Sequence, residues 1–217
     1  MKDLTRKFLN TADHDAIAAA VKAAEKQTAG EIVPMVVSAS YHYPMAEVIG
    51  ATTLALPAAL VLTPLLGGWF WIGNWNLWLF LGLFTLFFLG GLMLLRCWTA
   101  LKRLFISKRE IDEEVEEAAV ISFFKKGVHR TREETGVLIY VSLFEHRVWV
   151  LADRGINRKV AQDQWNTIVA DIVQGIRQHQ PGQAIAEAVD RVGRLLAEHF
   201  PRRDDDQDEL TNLIVED

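Results

Sequence analysis

Three hydrophobic spacings follow one another along the chain. From residue 11 to 29 apolar side chains recur every three or four positions, with Ile17, Val21 and Ala24 on one stripe. This spacing predicts an amphipathic helix, with Gly30 where a C-terminal cap belongs. The run "EIVPMVVSA", Glu31 to Ala39, reads as a β-strand. Pro34 inside it cannot donate to a ladder, so this strand is expected at a sheet edge or bulged at the proline. Then the polar half of the pattern disappears: residues 48 to 95 include no Asp, Glu, Lys or Arg.

A soluble helix needs a wetted polar face, and this stretch offers none. It divides around "GGWFWIGNWN" into Val48 to Leu66 and Leu77 to Leu95. Each piece is close to the ~20 residues a helix needs to cross a bilayer. One continuous helix would have to absorb Gly67, Gly68 and the turn-forming Gly73-Asn74, so a helical hairpin is predicted. Trp69, Trp71, Trp75 and Trp78 gather at one end of it, and Tyr41, Tyr43 and Trp98 at the other, as two interfacial aromatic belts. Ala51, Ala55 and Ala59 form a small-residue face that allows close helix approach. Arg96, Lys102, Arg103, Lys108 and Arg109 follow the second span, whereas the short loop has no cation. The positive-inside rule then predicts a multi-pass membrane protein with both termini cytoplasmic and the Trp-rich loop outside. The basic stretch "RCWTALKRLFISKR" is expected to lie against anionic lipid.

Periodicity returns after the hairpin. "SKREIDEEVEEAAVISFFKKG" has helical spacing at Ile111, Val115, Ala119 and Phe123 and closes at Gly127. "GVLIYVSLF" and "RVWVLA" read as an antiparallel strand pair joined through Glu145-His146. Two helical stripes follow, one from Ala161 to Ile176 and one from Ile185 to Leu196, the latter bracketed by Pro181 and Pro201. The tail "RRDDDQDELTNLIVED" reads as charged and loosely ordered. With the hairpin set aside, the core reads β-α-β, a crossover joining two parallel strands. The fold class is therefore α/β: a small mixed sheet flanked by helices and interrupted by a two-helix transmembrane hairpin. The expected organisation is residues 1–44 and 99–203 as two parts of one cytoplasmic domain, 45–98 as the hairpin, and 204–217 as an acidic tail.

Composition narrows the function classes. With 23 Lys+Arg against 28 Asp+Glu, the net charge of -5 argues against nucleic acid as a partner. The single cysteine, Cys97, excludes an internal disulfide and any CxxC motif. The first ten residues, "MKDLTRKFLN", are too polar for the apolar core of a secretory signal. No P-loop, GxSxG or HExxH is present. Candidate chemistry comes instead from topology. If Glu31 to Ala39 runs parallel to Val137 to Phe144, both strands start at one sheet edge, opposite the exit to the membrane, and "RVWVLA" ends there. The loops 127–135 and 153–157 are then neighbours, with Glu31 beside them. His129, Asp153 and Arg154 are the catalytic candidates of this edge, Glu31, Arg130 and Asn157 the ligand-binding ones, and Thr131 and Glu133 accompany them. Such a set could bind an anion, or a metal through Asp153 and Glu31. The competing structural reading has Asp153, Arg154 and Asn157 capping the following helix. His146 reads as a turn residue, His199 as a helix-end residue, and Asp204 to Glu209 as a solvated acidic run without the glycine of an EF-hand loop.

The segments "AVKAAEKQTAGEIV", "FFKKGVHRTREETGVLIYVSLFEHRVWVLADRGIN" and "AEHFPRRDDDQDEL" resemble the TPM-domain family, in particular its bacterial membrane-embedded branch. The resemblance rests most on Thr135 to Ile139, Glu145 to Val148 and Asp153 to Ile156. It implies a TPM-like mixed sheet flanked by helices. Better-known members are lumenal or extracytoplasmic proteins linked to photosystem repair, weak acid-phosphatase activity, calcium binding and auxiliary roles beside a membrane receptor. This sequence departs from them in its uncharged hairpin and its polar start. The expected role is non-enzymatic, an interaction or assembly module for envelope proteins. The alternatives are a weak metal-assisted phosphatase and an oligomeric pore component. Expected partners are the lipid bilayer, other membrane proteins and a second copy of the chain. No cofactor is expected from the residues, and a divalent cation only from the resemblance.

Overall fold

The computed structural model describes residues 4–71, 73, 76–131, 133–202 and 210–216. Its helices and strands are α1 (Leu4–Phe8), α2 (Thr11–Glu25), β1 (Glu31–Val37), α3 (Pro44–Trp69), α4 (Leu77–Cys97), α5 (Thr99–Arg103), α6 (Lys108–Lys125), β2 (Gly136–Ser142), β3 (Arg147–Ala152), α7 (Arg154–Asn157), α8 (Gln162–Arg177), α9 (Pro181–His199) and β4 (Ile214–Glu216). They form two compact units, one of Met1–Tyr41 with Asp112–Asp217 and one of His42–Ile111.

The discontinuous unit is built on a four-stranded sheet of order β3-β2-β1-β4. β1 and β2 pair in parallel from Glu31↔Gly136 to Val37↔Ser142, as the crossover reading requires. β2 and β3 pair antiparallel from Val137↔Ala152 to Ser142↔Arg147. That register leaves four residues, 143–146, in the hairpin connection in place of a tight Glu145-His146 turn. Side chains alternate across a strand, so each strand serves two faces. Ile32, Val36, Val137, Ile139 and Val141 enter one core with Ile17 and Val21 of α2, Trp165, Ile168 and Ile172 of α8, and Ile185, Val189, Val192 and Leu196 of α9. Each of these buried branched side chains contributes about 1.5–3 kcal/mol. Val33, Met35, Leu138 and Tyr140 point to the second face and are buried too. Arg147 at the head of β3 pairs with Asp112 of α6, and Glu216 of β4 pairs with Lys126 just past its end. β3 and β4 are the two edge strands, so α6 crosses the second face from one to the other, presenting Val115, Ala119 and Phe123 as buried positions.

Three expectations change here. The end of the tail is a strand: Ile214, Val215 and Glu216 pair in parallel with Met35, Val36 and Val37. Apolar residues after the acids find a ladder partner, and Leu213 packs on the core. Asp204 to Glu209 lie outside the described residues. β1 is consequently interior over its second half, and an edge only from Glu31 to Pro34. Pro34 sits just before β4 begins, with no bulge in the register, which is where a missing N–H is tolerated. Finally, α2 stops at Glu25 with Lys26 as its cap, so Gly30 is not the cap. Gly30 is small because Leu196 presses on it: a Cβ there would lie 2.7 Å from the Leu196 side chain.

In the second unit α3 and α4 run antiparallel. Glu47 pairs with Arg96 at one end at 3.1 Å, and Gly91 faces Ala51 one turn further in, where an added Cβ would meet the Ala51 Cα at 3.2 Å. Ala51, Ala55 and Ala59 are fully buried, so the small-residue face is the contact between the two helices. α3 continues unbroken through Pro57 and Pro64. Both helices are long and apolar enough to cross a membrane, with mean hydropathy 1.9 over an 18-residue stretch of Pro44–Trp69 and 2.3 over one of Leu77–Cys97. Trp69, Trp71, Trp78 and Trp98 are exposed, whereas Tyr43 is buried; Asn74 and Trp75 lie outside the described residues. Lys102 departs from the lipid-facing expectation. It is buried, donating to Glu47 at 2.8 Å and to the His42 carbonyl, so its charge is spent inside the unit.

Candidate functional site

The residues singled out at the start of the β1–β2 pair converge on one glycine. Gly136 opens β2 opposite Glu31 of β1. Its carbonyl accepts the Asp153 N–H at 2.9 Å, which brings the end of β3 to it. A Cβ on Gly136 would lie only 2.1 Å from the Val128 carbonyl oxygen, so the loop before β2 folds directly onto its Cα. Gly155 repeats the device: its N–H donates to the Glu134 carbonyl at 3.1 Å, and a Cβ there would lie 2.6 Å from the carbonyl oxygens of Glu133 and Glu134. The loops 127–135 and 153–157 are therefore neighbours, as the topology predicts.

The loop 127–135 is held from inside by two buried threonines. Thr131 Oγ1 accepts the Thr135 N–H at 2.9 Å, and Thr135 Oγ1 donates to the Ala29 carbonyl at 3.1 Å. The Glu31 N–H donates to the Thr135 carbonyl at 3.2 Å. Gly127, at φ +77°, reverses the chain after α6 into a short 3-10 turn over Val128–Arg130. Sequence reasoning placed Thr131 here and missed Thr135, whose hydroxyl gives no periodic signal.

The candidates divide by what their side chains do. Asp153 caps α7, its Oδ1 accepting the Arg154 N–H at 2.7 Å, and Asn157 Nδ2 donates to the Ala152 carbonyl at 2.7 Å. The capping reading is thus realised for Asp153, whereas Asn157 ties its helix back to the end of β3. Asp153 Oδ2 and His129 Nδ1 are different: both are buried atoms with no hydrogen-bond partner among the described residues. The His129 ring leans on Phe124 at 5.0 Å between centroids. Glu31 is buried, whereas Arg130 and Arg154 are exposed. Glu133 is half-buried. Arg158 and Glu134 approach to 4.0 Å on the exposed rim, a pairing that contributes little in water.

The divalent cation suggested by the resemblance needs several convergent oxygen ligands. Among the described residues no three His, Cys, Asp or Glu side chains come together as a metal-holding group.

Two further features escaped the sequence. The helices α8 and α9 enclose a groove of about 570 Å³ lined by Asp171, Gln178, Gln183, Glu187, Arg191 and Arg194. Glu145, in the β2–β3 connection, is fully buried.

With this geometry in view, comparison with known proteins gives two results. Residues 103–195 match the family model described as TPM domain. The NMR structure of BA42 protein from the psychrophilic bacterium Bizionia argentinensis sp. nov. is similar over 100% of both chains, with a TM-score of 0.60 and 22% identity. That likeness is one of fold. No curated protein matches the chain.

Proposed function

We propose that this chain is a two-pass protein of a bacterial inner membrane whose discontinuous α/β unit is a cytoplasmic interaction or assembly module for envelope proteins. The TPM-domain match and the two apolar helices supply the frame. The observation that carries the reading is the polar end of the β1–β2 pair. There a backbone-braced pair of loops presents Arg130 and Arg154 to solvent, beside two buried atoms, His129 Nδ1 and Asp153 Oδ2, that have no hydrogen-bond partner among the described residues. Buried polar groups are paired as a rule, so atoms without partners mark where an external group completes the set. Guanidinium groups at the rim suit carboxylate or phosphate groups on that partner.

The test is capture of the intact protein from detergent extract with partner identification, compared with the joint variant His129→Gln, Asp153→Asn, Arg154→Gln. The module reading expects membrane proteins that co-purify with the wild type and are lost with the variant. Partners that survive all three substitutions contradict it. Topology is tested by cysteine labelling in a Cys97→Ser background, where Asn74→Cys should label from outside the cell and a cysteine at position 217 only after lysis.

A second reading, a weak phosphatase, draws on His129, whose Nδ1 has no partner among the described residues and which shares an end of the sheet with Arg130 and Arg154. Hydrolysis of a phosphomonoester by the wild type and not by His129→Gln would favour it over the module.

A further inference from the structure

The opposite end of the same strand pair places a charged side chain inside the protein. Glu145 sits in the four-residue connection between β2 and β3 and is 0% exposed. Its Oε1 accepts the N–H groups of Ser40 at 3.0 Å and Tyr41 at 3.3 Å, and its Oε2 accepts the Ser142 hydroxyl. The Ser40 hydroxyl also meets the Tyr140 hydroxyl at 3.2 Å. These contacts begin where the ladder stops. Ser38, the residue after β1, is still held by backbone bonds, its N–H donating to the Glu216 carbonyl and its carbonyl accepting from Phe144, each at 3.0 Å. Beyond it the chain leaves the sheet and enters α3 at Pro44.

We infer that Glu145 is a latch: a positioning residue in the β2–β3 connection that fixes the point at which the chain leaves the sheet for the apolar helices. A buried carboxylate is tolerated only when its lone pairs are filled, and here backbone N–H groups of the exit segment fill them. Opening the segment strips Ser40, Tyr41 and Glu145 of their partners together, so the exit is held or released as one step, without residue-by-residue fraying. The latch lies wholly within the discontinuous unit, and the inference stands whether or not the polar end at Gly136 binds a partner.

Hydrogen exchange of the full-length protein in nanodiscs tests it. Glu145→Ala should raise exchange at the Ser40 and Tyr41 amides by about tenfold or more, while Val137 to Val141 keep wild-type protection. Glu145→Gln retains a carbonyl oxygen that can accept, so its exchange should stay within about threefold of wild type. Wild-type protection at both amides in Glu145→Ala overturns the inference. So does equal loss in the β2 core, which would make Glu145 a general stabiliser, or exchange in Glu145→Gln as fast as in Glu145→Ala. Should Glu145→Ala fail to fold, Glu145→Asp withdraws the carboxylate by one methylene. Faster exchange at the two amides with an intact core then supports the latch, and unchanged protection refutes it.

Discussion

The two ends of the β1–β2 pair are both polar, and they differ in how that polarity is settled. At the end where the chain leaves for α3, Glu145 is fully buried and every contact it makes is internal. At the end where β2 begins, the backbone is equally well braced around Gly136, yet Asp153 Oδ2 and His129 Nδ1 are buried with no partner among the described residues. Composition does not distinguish the two clusters. Hydrogen-bond satisfaction does: the carboxylate at one end has its partners within the fold, whereas two buried atoms at the other have none among the described residues.

That contrast is exposed to experiment most strongly at Gly136. Replacing it with Val forces a side chain against the Val128 carbonyl, which lies 2.1 Å from where a Cβ would stand. The expected loss is about 3 kcal/mol or more, read as a lowered thermal midpoint by circular dichroism. Gly127→Ala serves as its control. Its nearest foreign atom is at 3.7 Å, so only the φ of +77° is strained, at a cost of about 1 kcal/mol.

Next in size, the satisfied end should pay in stability and the other end in binding. Glu145→Ala orphans the amides of Ser40 and Tyr41 and should destabilise the discontinuous unit by about 1–3 kcal/mol. Asp153→Asn keeps the capping oxygen and should change stability by less than about 1 kcal/mol while reducing partner capture. Equal destabilisation by both would erase the distinction.

The smallest effect is one of pH. Burial pushes the Tyr140 hydroxyl above its usual value of 10.0, the Ser40 hydrogen bond opposes this, and the charges of Glu145 and Glu216 add to it. An unfolded tyrosine then ionises before the folded one does. The protein is unaffected below about pH 10 and loses stability as pH rises from there through the folded value. Tyr140→Phe should flatten this alkaline decline in thermal midpoint.

Most of the architecture was legible because it is periodic. The parallel β1–β2 pairing, the β2–β3 hairpin and the stripes of α8 and α9 follow from spacing, and with them the meeting of the two loops at Gly136. What lacks a period was lost. Ile214 to Glu216 are too few to show alternation after a run of acids, so β4 read as tail. Glu145-His146 read as a tight turn between two strands, and nothing local shows that Ser40 and Tyr41 arrive at Glu145 from far away in the chain. Gly30 carried a cap signal that belongs to packing: the helix had already ended, and Leu196 of α9 needed the space. Lys102 looked like one more lipid-facing cation until Glu47 and the His42 carbonyl were seen to hold it.

The central claim is that the Gly136 end, and not the Glu145 end, meets another molecule. Site-specific photo-crosslinking in native membranes addresses it directly, with a photoreactive residue placed singly at Arg130, Arg154, His146 and Arg147. The account predicts discrete protein adducts from positions 130 and 154, and none from 146 and 147. Adducts confined to 146 and 147, or equal at both ends, would contradict it.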